Sequence, residues 1–402
     1  MSLKNEFLKN FLLAYLWGIG LIVFSIIIFY FSNNSFKWIN FLQFDAVHYY
    51  KIAFIGYNHK RSAFFPLFPF IWHLIGNSMS LILIVNNIFF SLSFAILNAM
   101  FSWNYYQKIL FLSIPSGIFF YLPYSESIFA LACSILLYFM FQNNQWGIIL
   151  TFFFLSFIRP SVTILLPALA IYLFFENYTI LSKIIIIFSC TLLSILAFWV
   201  VNMYQYSYTN IPWGFFSAQS TYWDNHWRIP TFPLWTYGDN LILGLDLFSF
   251  WAACWSFYLL IINFLKKIRA QNLLFPPIWI FVYSYILGST LLVLLTRGGS
   301  LFSLNRFIFA TIFGGLFVNH FSLNFLLLLH NKKILMGLIM VVSFINKPWL
   351  HIKHFLTIKT TFLPILLIYL QSYKLIRILL ILLFVTLQII LIQKFMSGIW
   401  VA

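Results

Sequence analysis

Acidic residues are scarce in this chain: only seven of its 402 residues are Asp or Glu, and charged residues of both signs make up 7%. A carboxylate at the centre of a membrane helix costs about 2.5–3.5 kcal/mol, so any carboxylate retained near a membrane is a candidate for a function. Hydrophobic residues make up 63% of the chain and the mean hydropathy is +0.95. That composition excludes a soluble globular domain and predicts an integral membrane protein.

Other absences exclude further classes of protein. The three cysteines lie inside apolar runs, which predicts neither a disulfide framework nor a cysteine metal site. The motifs G-x-x-x-x-G-K-[ST], H-E-x-x-H and G-x-S-x-G do not occur. The sequence therefore lacks the motifs expected of an ATP-driven pump or a zinc protease. Nothing in the sequence requires a cofactor or a metal.

The net positive charge of this chain does not indicate a nucleic-acid-binding protein. The formal net charge is +16, but the Lys and Arg residues are scattered through short loops instead of forming one basic face. We therefore expect no nucleic-acid partner. Cations in such loops contact lipid headgroups, orient the chain, or hold a substrate that carries phosphate.

Long apolar runs predict an all-α polytopic protein with about 11–13 transmembrane helices. The runs beside Pro123 and Pro160 are short, which favours tilted or broken helices around a cavity. The predicted spans are 11–31, 79–101, 109–122, 127–141, 148–158, 161–175, 183–204, 245–265, 275–296, 306–328, 334–346, 356–373 and 378–395.

Two connections are too long to be simple turns: residues 32–78, the first long loop, and residues 205–244, the second long loop. Both are rich in aromatic residues, which predicts interfacial helices and a lidded cavity. The short turns on the opposite side are basic and are therefore expected to face the cytoplasm. We predict one transmembrane domain over residues 1–402, with both long loops on the extracytoplasmic or lumenal side.

The first long loop contains the most informative carboxylate. If residues 44–53 are helical, Asp45, His48 and Tyr49 share one face. Such a face could place a general base and a hydrogen-bonding partner beside an acceptor hydroxyl. The alternative interpretation is an ordinary amphipathic helix whose polar edge meets water.

Further candidates lie in short polar segments between spans. Tyr124 and Glu126, among serine hydroxyls, fit sugar or cation binding, although Glu126 could instead cap a helix that begins near Ser127. Asp224 and Arg228 lie among tryptophans that could stack on carbohydrate or form an interfacial belt.

Two arginines, Arg159 and Arg306, lie near predicted membrane surfaces. The guanidinium group recognises phosphate with two parallel hydrogen bonds. Snorkelling of the side chain to the interface is the alternative.

Three segments occur together in this chain: FDAVHYYKIA at 44–53 followed by Gly56-Tyr57, AFFPLFP at 63–69 and PYSESIF at 123–129. Together they resemble the PIG-V family, which comprises GPI mannosyltransferase 2 of eukaryotes and its bacterial relatives. Arg159 at the end of a span and Asn305-Arg306 fit this family more loosely, and Phe44 stands where the family usually has Trp. Specific motifs cover about the first third of the chain.

The resemblance implies a GT-C-type helical bundle and a hexosyltransferase, classically a mannosyltransferase. The implied donor is a polyprenyl- or dolichyl-phosphate sugar, the acceptor is a lipid-linked molecule or glycan, and Asp45 is the implied catalytic base. A eukaryotic member would form the α-1,6 linkage of GPI-anchor synthesis. The remaining candidates become substrate-binding residues: His48, Tyr49, Tyr124, Glu126, Arg159, Asp224, Arg228 and Arg306.

Several alternatives stay open at this stage. Composition favours the bacterial cytoplasmic membrane over the endoplasmic reticulum, and a bacterial enzyme would have an acceptor other than a GPI lipid. A polyprenyl-linked glycan ligase or polymerase differs only in how much sugar is transferred. A lipid or sugar transporter fits the broken helices, but internal symmetry is not visible in the sequence. A non-catalytic subunit would tolerate loss of Asp45, and a small membrane subunit could accompany the enzyme.

Overall fold

The structure is a computed structural model that describes residues 3–32, 35–328 and 374–401. In this part of the chain the secondary structure is helical, with one isolated bridge between Trp235 and Ser300. Six of the described helices are long and apolar enough to cross a membrane. The prediction of an all-α polytopic membrane protein is confirmed.

The described helices are numbered in chain order. The first ten are α1 (Leu3–Phe31), α2 (Asp45–Phe54), α3 (Leu67–Ile75), α4 (Met79–Phe101), α5 (Tyr105–Leu112), α6 (Glu126–Phe141), α7 (Gln145–Ile158), α8 (Val162–Phe175), α9 (Ile180–Thr209) and α10 (Gly214–Trp223). The others are α11 (Asn240–Ile268), α12 (Pro277–Thr296), α13 (Leu304–Phe309), α14 (Ile312–Leu328) and α15 (Lys374–Met396). The long apolar helices are α1, α4, α9, α11, α12 and α15, while α6, α7, α8 and α14 are shorter apolar helices.

Most predicted spans coincide with these helices, but two are interrupted. The predicted span 109–122 consists of α5 and a 3-10 turn, Pro115–Phe120. A proline has no backbone N–H to continue an α-helix, which accounts for this break. The predicted span 306–328 is divided between α13 and α14. The predicted spans 334–346 and 356–373 lie outside the described residues.

The chain divides into two compact units. Unit 1 contains residues 1–104, 117–225 and 388–401, and unit 2 contains residues 105–116 and 226–387. In unit 1, α4 packs between α1 and α6, and α7 packs between α6 and α9. In unit 2, α11 packs against α12 and α13, while α5 contacts α14.

A buried amide of α9 fixes the first long loop within unit 1. Gln205 Nε2 donates hydrogen bonds to the carbonyl oxygens of Ser62 (3.0 Å) and Phe64 (3.1 Å). The Tyr57 hydroxyl donates to the same Phe64 carbonyl at 3.0 Å. Because buried backbone carbonyls need partners, these bonds attach the aromatic segment after α2 to a membrane-spanning helix.

Candidate functional site

Asp45 is the first residue of α2 and is partly exposed. The residue before it, Phe44, has φ 52° and ψ −121°, a backbone conformation that costs a non-glycine residue energy. The Phe44 ring packs against Phe395, at 5.9 Å between centroids, and edge-on against Trp400, at 4.9 Å. The C-terminal segment of unit 1 therefore fixes the backbone turn immediately before Asp45.

His48 lies one helical turn after Asp45, in an aromatic environment. Its ring stacks on Phe64 with centroids 5.0 Å apart and meets Trp223 edge-on at 5.9 Å. Within the described structure, the buried His48 Nδ1 has no hydrogen-bond partner. Burial lowers the pKa of His48; the negative charge of Asp45 opposes this shift, and neighbouring cations reinforce it. At neutral pH the imidazole is therefore uncharged and has one nitrogen able to accept a hydrogen bond.

Three cations in the first long loop act electrostatically on His48: Lys51, Lys60 and Arg61. Lys60 Nζ lies 5.8 Å from the ring centroid of Tyr222 and 6.0 Å from that of Trp223. None of the three was a sequence candidate. The available signal was three basic residues within the same loop as the proposed base, interleaved with aromatic residues.

Tyr49 and Tyr124, both predicted to bind substrate, are buried and join parts of unit 1 to one another. The hydroxyls of Tyr49 and Ser125 are 2.9 Å apart and share a hydrogen bond, and Tyr124 donates to the Gln43 carbonyl at 3.3 Å. Tyr49 also meets Phe64 edge-on at 5.1 Å. The three segments that carry the sequence resemblance therefore meet around α2, and the two tyrosines position it.

Glu126 and Arg159 form an ion pair with a distance of 3.3 Å between Oε1 and Nη1. The Glu126 side chain is fully buried, and that of Arg159 is 13% exposed. Glu126 is also the first residue of α6, where a negative charge is favourable; the N-cap of this helix is Ser125, so Glu126 is not the cap that the sequence allowed. Arg159 lies over the Phe129 ring at 5.6 Å. Their predicted role in substrate binding stays a prediction.

Asp224 directly follows α10 in a left-handed conformation, with φ 52°, and is exposed. Its neighbour Trp223 contacts His48, so the end of α10 lies beside α2. Helix α10 itself packs on the loop through a hydrogen bond between His59 Nε2 and Ser217 Oγ.

The other two predicted arginines belong to unit 2. Arg228 is exposed, and its backbone N–H donates to the Leu295 carbonyl at 2.7 Å. Arg306 lies in α13 with only 8% of its surface exposed. Their proposed contact with a donor phosphate stays a prediction.

Unit 2 contains a carboxylate that was not among the sequence candidates. Asp246 is fully buried in α11. Its Oδ1 accepts hydrogen bonds from the backbone N–H of Asn305 (2.9 Å) and from Asn305 Nδ2 (2.7 Å), and its Oδ2 accepts one from Thr236 Oγ1 (2.9 Å). Ser116 Oγ donates to Asn305 Oδ1 at 3.0 Å. A single Asp inside the predicted span 245–265 was the signal that could have found it.

Among the described residues, no group of three or more His, Cys, Asp or Glu side chains could hold a metal ion. No protein-family model, curated protein or solved structure matches the chain. Assignment to the PIG-V family therefore stays a prediction based on the sequence segments around α2 and α6.

Proposed function

We propose that the protein is a membrane glycosyltransferase that moves a hexose, by resemblance a mannose, from a polyprenyl-phosphate sugar to a lipid-linked or glycan acceptor. The observation that carries the proposal is the surroundings of Asp45. This carboxylate is partly exposed at the start of a short helix outside the long apolar helices, one turn from a half-buried histidine. Cationic and aromatic side chains surround that histidine.

In this proposal the reaction is a single inverting displacement. The acceptor hydroxyl oxygen forms a bond to the anomeric carbon of the sugar, while the bond between that carbon and the phosphate oxygen breaks. Asp45 takes the hydroxyl proton, and the lipid phosphate leaves with the bonding electron pair. Positioned general-base catalysis contributes about 10²–10⁴-fold to the rate. The hydroxyl has a single proton, which Asp45 accepts, so His48 contributes as part of the aromatic wall beside the base, with Phe64 and Trp223.

The leaving phosphate needs positive charge near the anomeric carbon. The three loop cations Lys51, Lys60 and Arg61 are in the same unit as Asp45 and act on its neighbour His48. Arg159, by contrast, already neutralises buried Glu126. We therefore favour the loop cations as the phosphate-binding groups, with Trp223 as a face for the sugar ring.

The proposed site faces the extracytoplasmic or lumenal side of the membrane. That assignment depends on the basic turns predicted to be cytoplasmic. A bacterial protein would work in the cytoplasmic membrane on an acceptor other than a GPI lipid. A eukaryotic protein would work in the endoplasmic reticulum, where the resemblance implies the α-1,6-mannosyl transfer of GPI synthesis.

The test of this reaction class is transfer of labelled sugar from a set of polyprenyl-phosphate hexoses, in membranes with and without the protein. We expect transfer that depends on the protein, with a product whose anomeric configuration is opposite to that of the donor. Retention of configuration would contradict the direct displacement. Transfer only from nucleotide sugars would contradict the donor class.

A further inference from the structure

Unit 1 contains an apolar groove of about 520 Å³ at the opposite end of α2 from Asp45. The C-terminal end of α2, the start of α3 and the last turns of α7 and α9 form its walls. Its lining includes Ile52, Phe54, Leu67, Phe157, Val201 and Tyr204. Because α9 is long and apolar enough to span a membrane, its last turns place the groove near one end of a span.

A glycine lines the groove at the point where α9 comes closest to the end of α2. Gly56 has φ +97°, and a Cβ added there would lie 2.7 Å from Cε1 of Tyr208. Both residues line the groove. A residue with a side chain would be strained in this conformation and would displace the tyrosine, so glycine permits the close approach of α9 to the end of α2.

Cationic side chains lie beside the groove lining and act on the histidine that follows the proposed base. Arg61 Nη1 donates to the carbonyl oxygen of Gly56 at 2.8 Å, which places the guanidinium group at the wall of the groove. The same arginine and Lys51, which is exposed on α2, act electrostatically on His48. Helix α2 rises about 1.5 Å per residue, so the seven-residue step from Asp45 to Ile52, the first residue that lines the groove, is about 10 Å along the helix axis.

We propose that this groove binds the hydrocarbon chain of a lipid phosphate and that Arg61 and Lys51 bind its phosphate group. The inference builds on the proposed function, because it places the donor's tail, phosphate and sugar in sequence along α2. The apolar chain lies at the C-terminal end of the helix, the phosphate beside the cations, and the sugar near His48 and Asp45.

Charge complementarity selects this occupant over an ordinary membrane lipid. A hydrocarbon chain gains little by leaving the bilayer for an apolar groove, because the lipid tails are equally apolar. Selectivity must therefore come from the headgroup. A guanidinium at the rim makes strong charge-assisted hydrogen bonds to an anionic phosphate ester, whereas an alcohol offers no charge and phosphatidylcholine carries a choline cation that cancels the charge of its phosphate.

The test uses a sugar-free polyprenyl phosphate that carries a photoreactive group in its chain, applied to the whole protein in detergent with added lipid. We expect labelling of peptides from α2, α3 and the end of α9. Unlabelled polyprenyl phosphate should compete for this labelling at least tenfold better than polyprenol or phosphatidylcholine. Equal competition by polyprenol or phosphatidylcholine would overturn the proposal.

Two matched variants keep the test independent of folding. Val200 lines the groove and Leu192 does not; both are exposed on α9, so each should accept Trp without disturbing the core. V200W should reduce groove labelling severalfold while L192W leaves it unchanged. Arg61→Gln should remove the preference for phosphate over alcohol. Labelling that is equal in V200W and L192W would overturn the proposal.

This readout does not require sugar transfer. Specific labelling of the groove without any transferase activity would support the lipid-phosphate groove and contradict the proposed function. Transfer of sugar combined with labelling outside the groove would support the proposed function and overturn the lipid-phosphate groove.

Discussion

Two buried or half-buried aspartates, one in each unit, lie in very different surroundings. In unit 2, Asp246 is fully buried in a long apolar helix, and its two carboxylate oxygens accept three hydrogen bonds from Asn305 and Thr236. In unit 1, Asp45 starts a short helix, is partly exposed, and has His48 and three loop cations nearby. Both are isolated carboxylates in a hydrophobic sequence.

The difference shows that scarcity of carboxylates alone does not identify a catalytic one. The hydrogen bonds of Asp246 connect α11 to the start of α13 and to the segment before α11, so this carboxylate holds unit 2 together. Asp45 is partly exposed at the start of α2, one turn from His48 and the cationic and aromatic side chains around it. Glu126 resembles Asp246, because it is buried and has a partner within the protein, Arg159. We expect substitutions to separate the carboxylates that stabilise the fold from the one proposed to catalyse.

The largest effect on stability is expected from Arg159→Met. This change leaves the buried Glu126 carboxylate without its cation, and breaking a buried pair in this way costs about 3–5 kcal/mol. The melting temperature in detergent should fall well below that of wild type. The matched control, Arg269→Met, removes an exposed arginine at the end of α11 and should melt as wild type does. Wild-type melting of Arg159→Met would show that this pair does not stabilise unit 1.

A smaller loss is expected from Asp246→Asn. The amide keeps the shape of the carboxylate but replaces charge-assisted hydrogen bonds from Asn305 with neutral ones, which costs about 1–3 kcal/mol in total. Thermal melting should report this loss, with sugar transfer per folded molecule unchanged. If Asp246→Asn melts as wild type does yet abolishes transfer, Asp246 takes the catalytic role and the contrast with Asp45 is reversed.

The smallest effect concerns pH and His48. Burial lowers the pKa of His48 below its ordinary value of 6.5, so the folded protein binds a proton there less readily than the unfolded chain. The stability linked to His48 is therefore complete above about pH 6.5 and is lost as the pH falls towards the lowered pKa.

The corresponding measurement compares melting temperatures between about pH 7.5 and about pH 5. His48→Gln should lose less stability over this range than wild type. The control His226→Gln alters an exposed histidine and should follow the wild-type curve. An identical acid dependence in wild type and His48→Gln would contradict the lowered pKa of His48.

Hydropathy predicted the long helices well because a bilayer allows few lengths and compositions. The span 79–101 coincides with α4, and helix periodicity placed His48 and Tyr49 on the Asp45 helix. Periodicity could not show that Tyr49 is buried against Ser125. That contact joins residues 76 positions apart, and tertiary packing alone determines it.

The loop cations and Asp246 could not be assigned from sequence for a related reason. Lys60 resembles any interfacial lysine until its contacts with Tyr222 and Trp223, which lie at the end of α10 far along the chain, are known. Asp246 resembles a functional carboxylate until its hydrogen bonds from Asn305 and Thr236 are seen. Charge and hydropathy patterns locate candidate side chains, but whether a carboxylate serves folding or chemistry depends on partners distant in sequence.

The most direct test of the central claim is the rate of sugar transfer by Asp45→Asn, measured per folded molecule at matched expression. The control is Glu6→Gln, which alters an exposed carboxylate in the first turn of α1. If Asp45 is the general base, Asp45→Asn should melt as wild type does and lose about a hundredfold or more of the activity, while Glu6→Gln keeps both. Equal activity of Asp45→Asn and wild type would contradict the account and move Glu126 or Asp224 forward as the base.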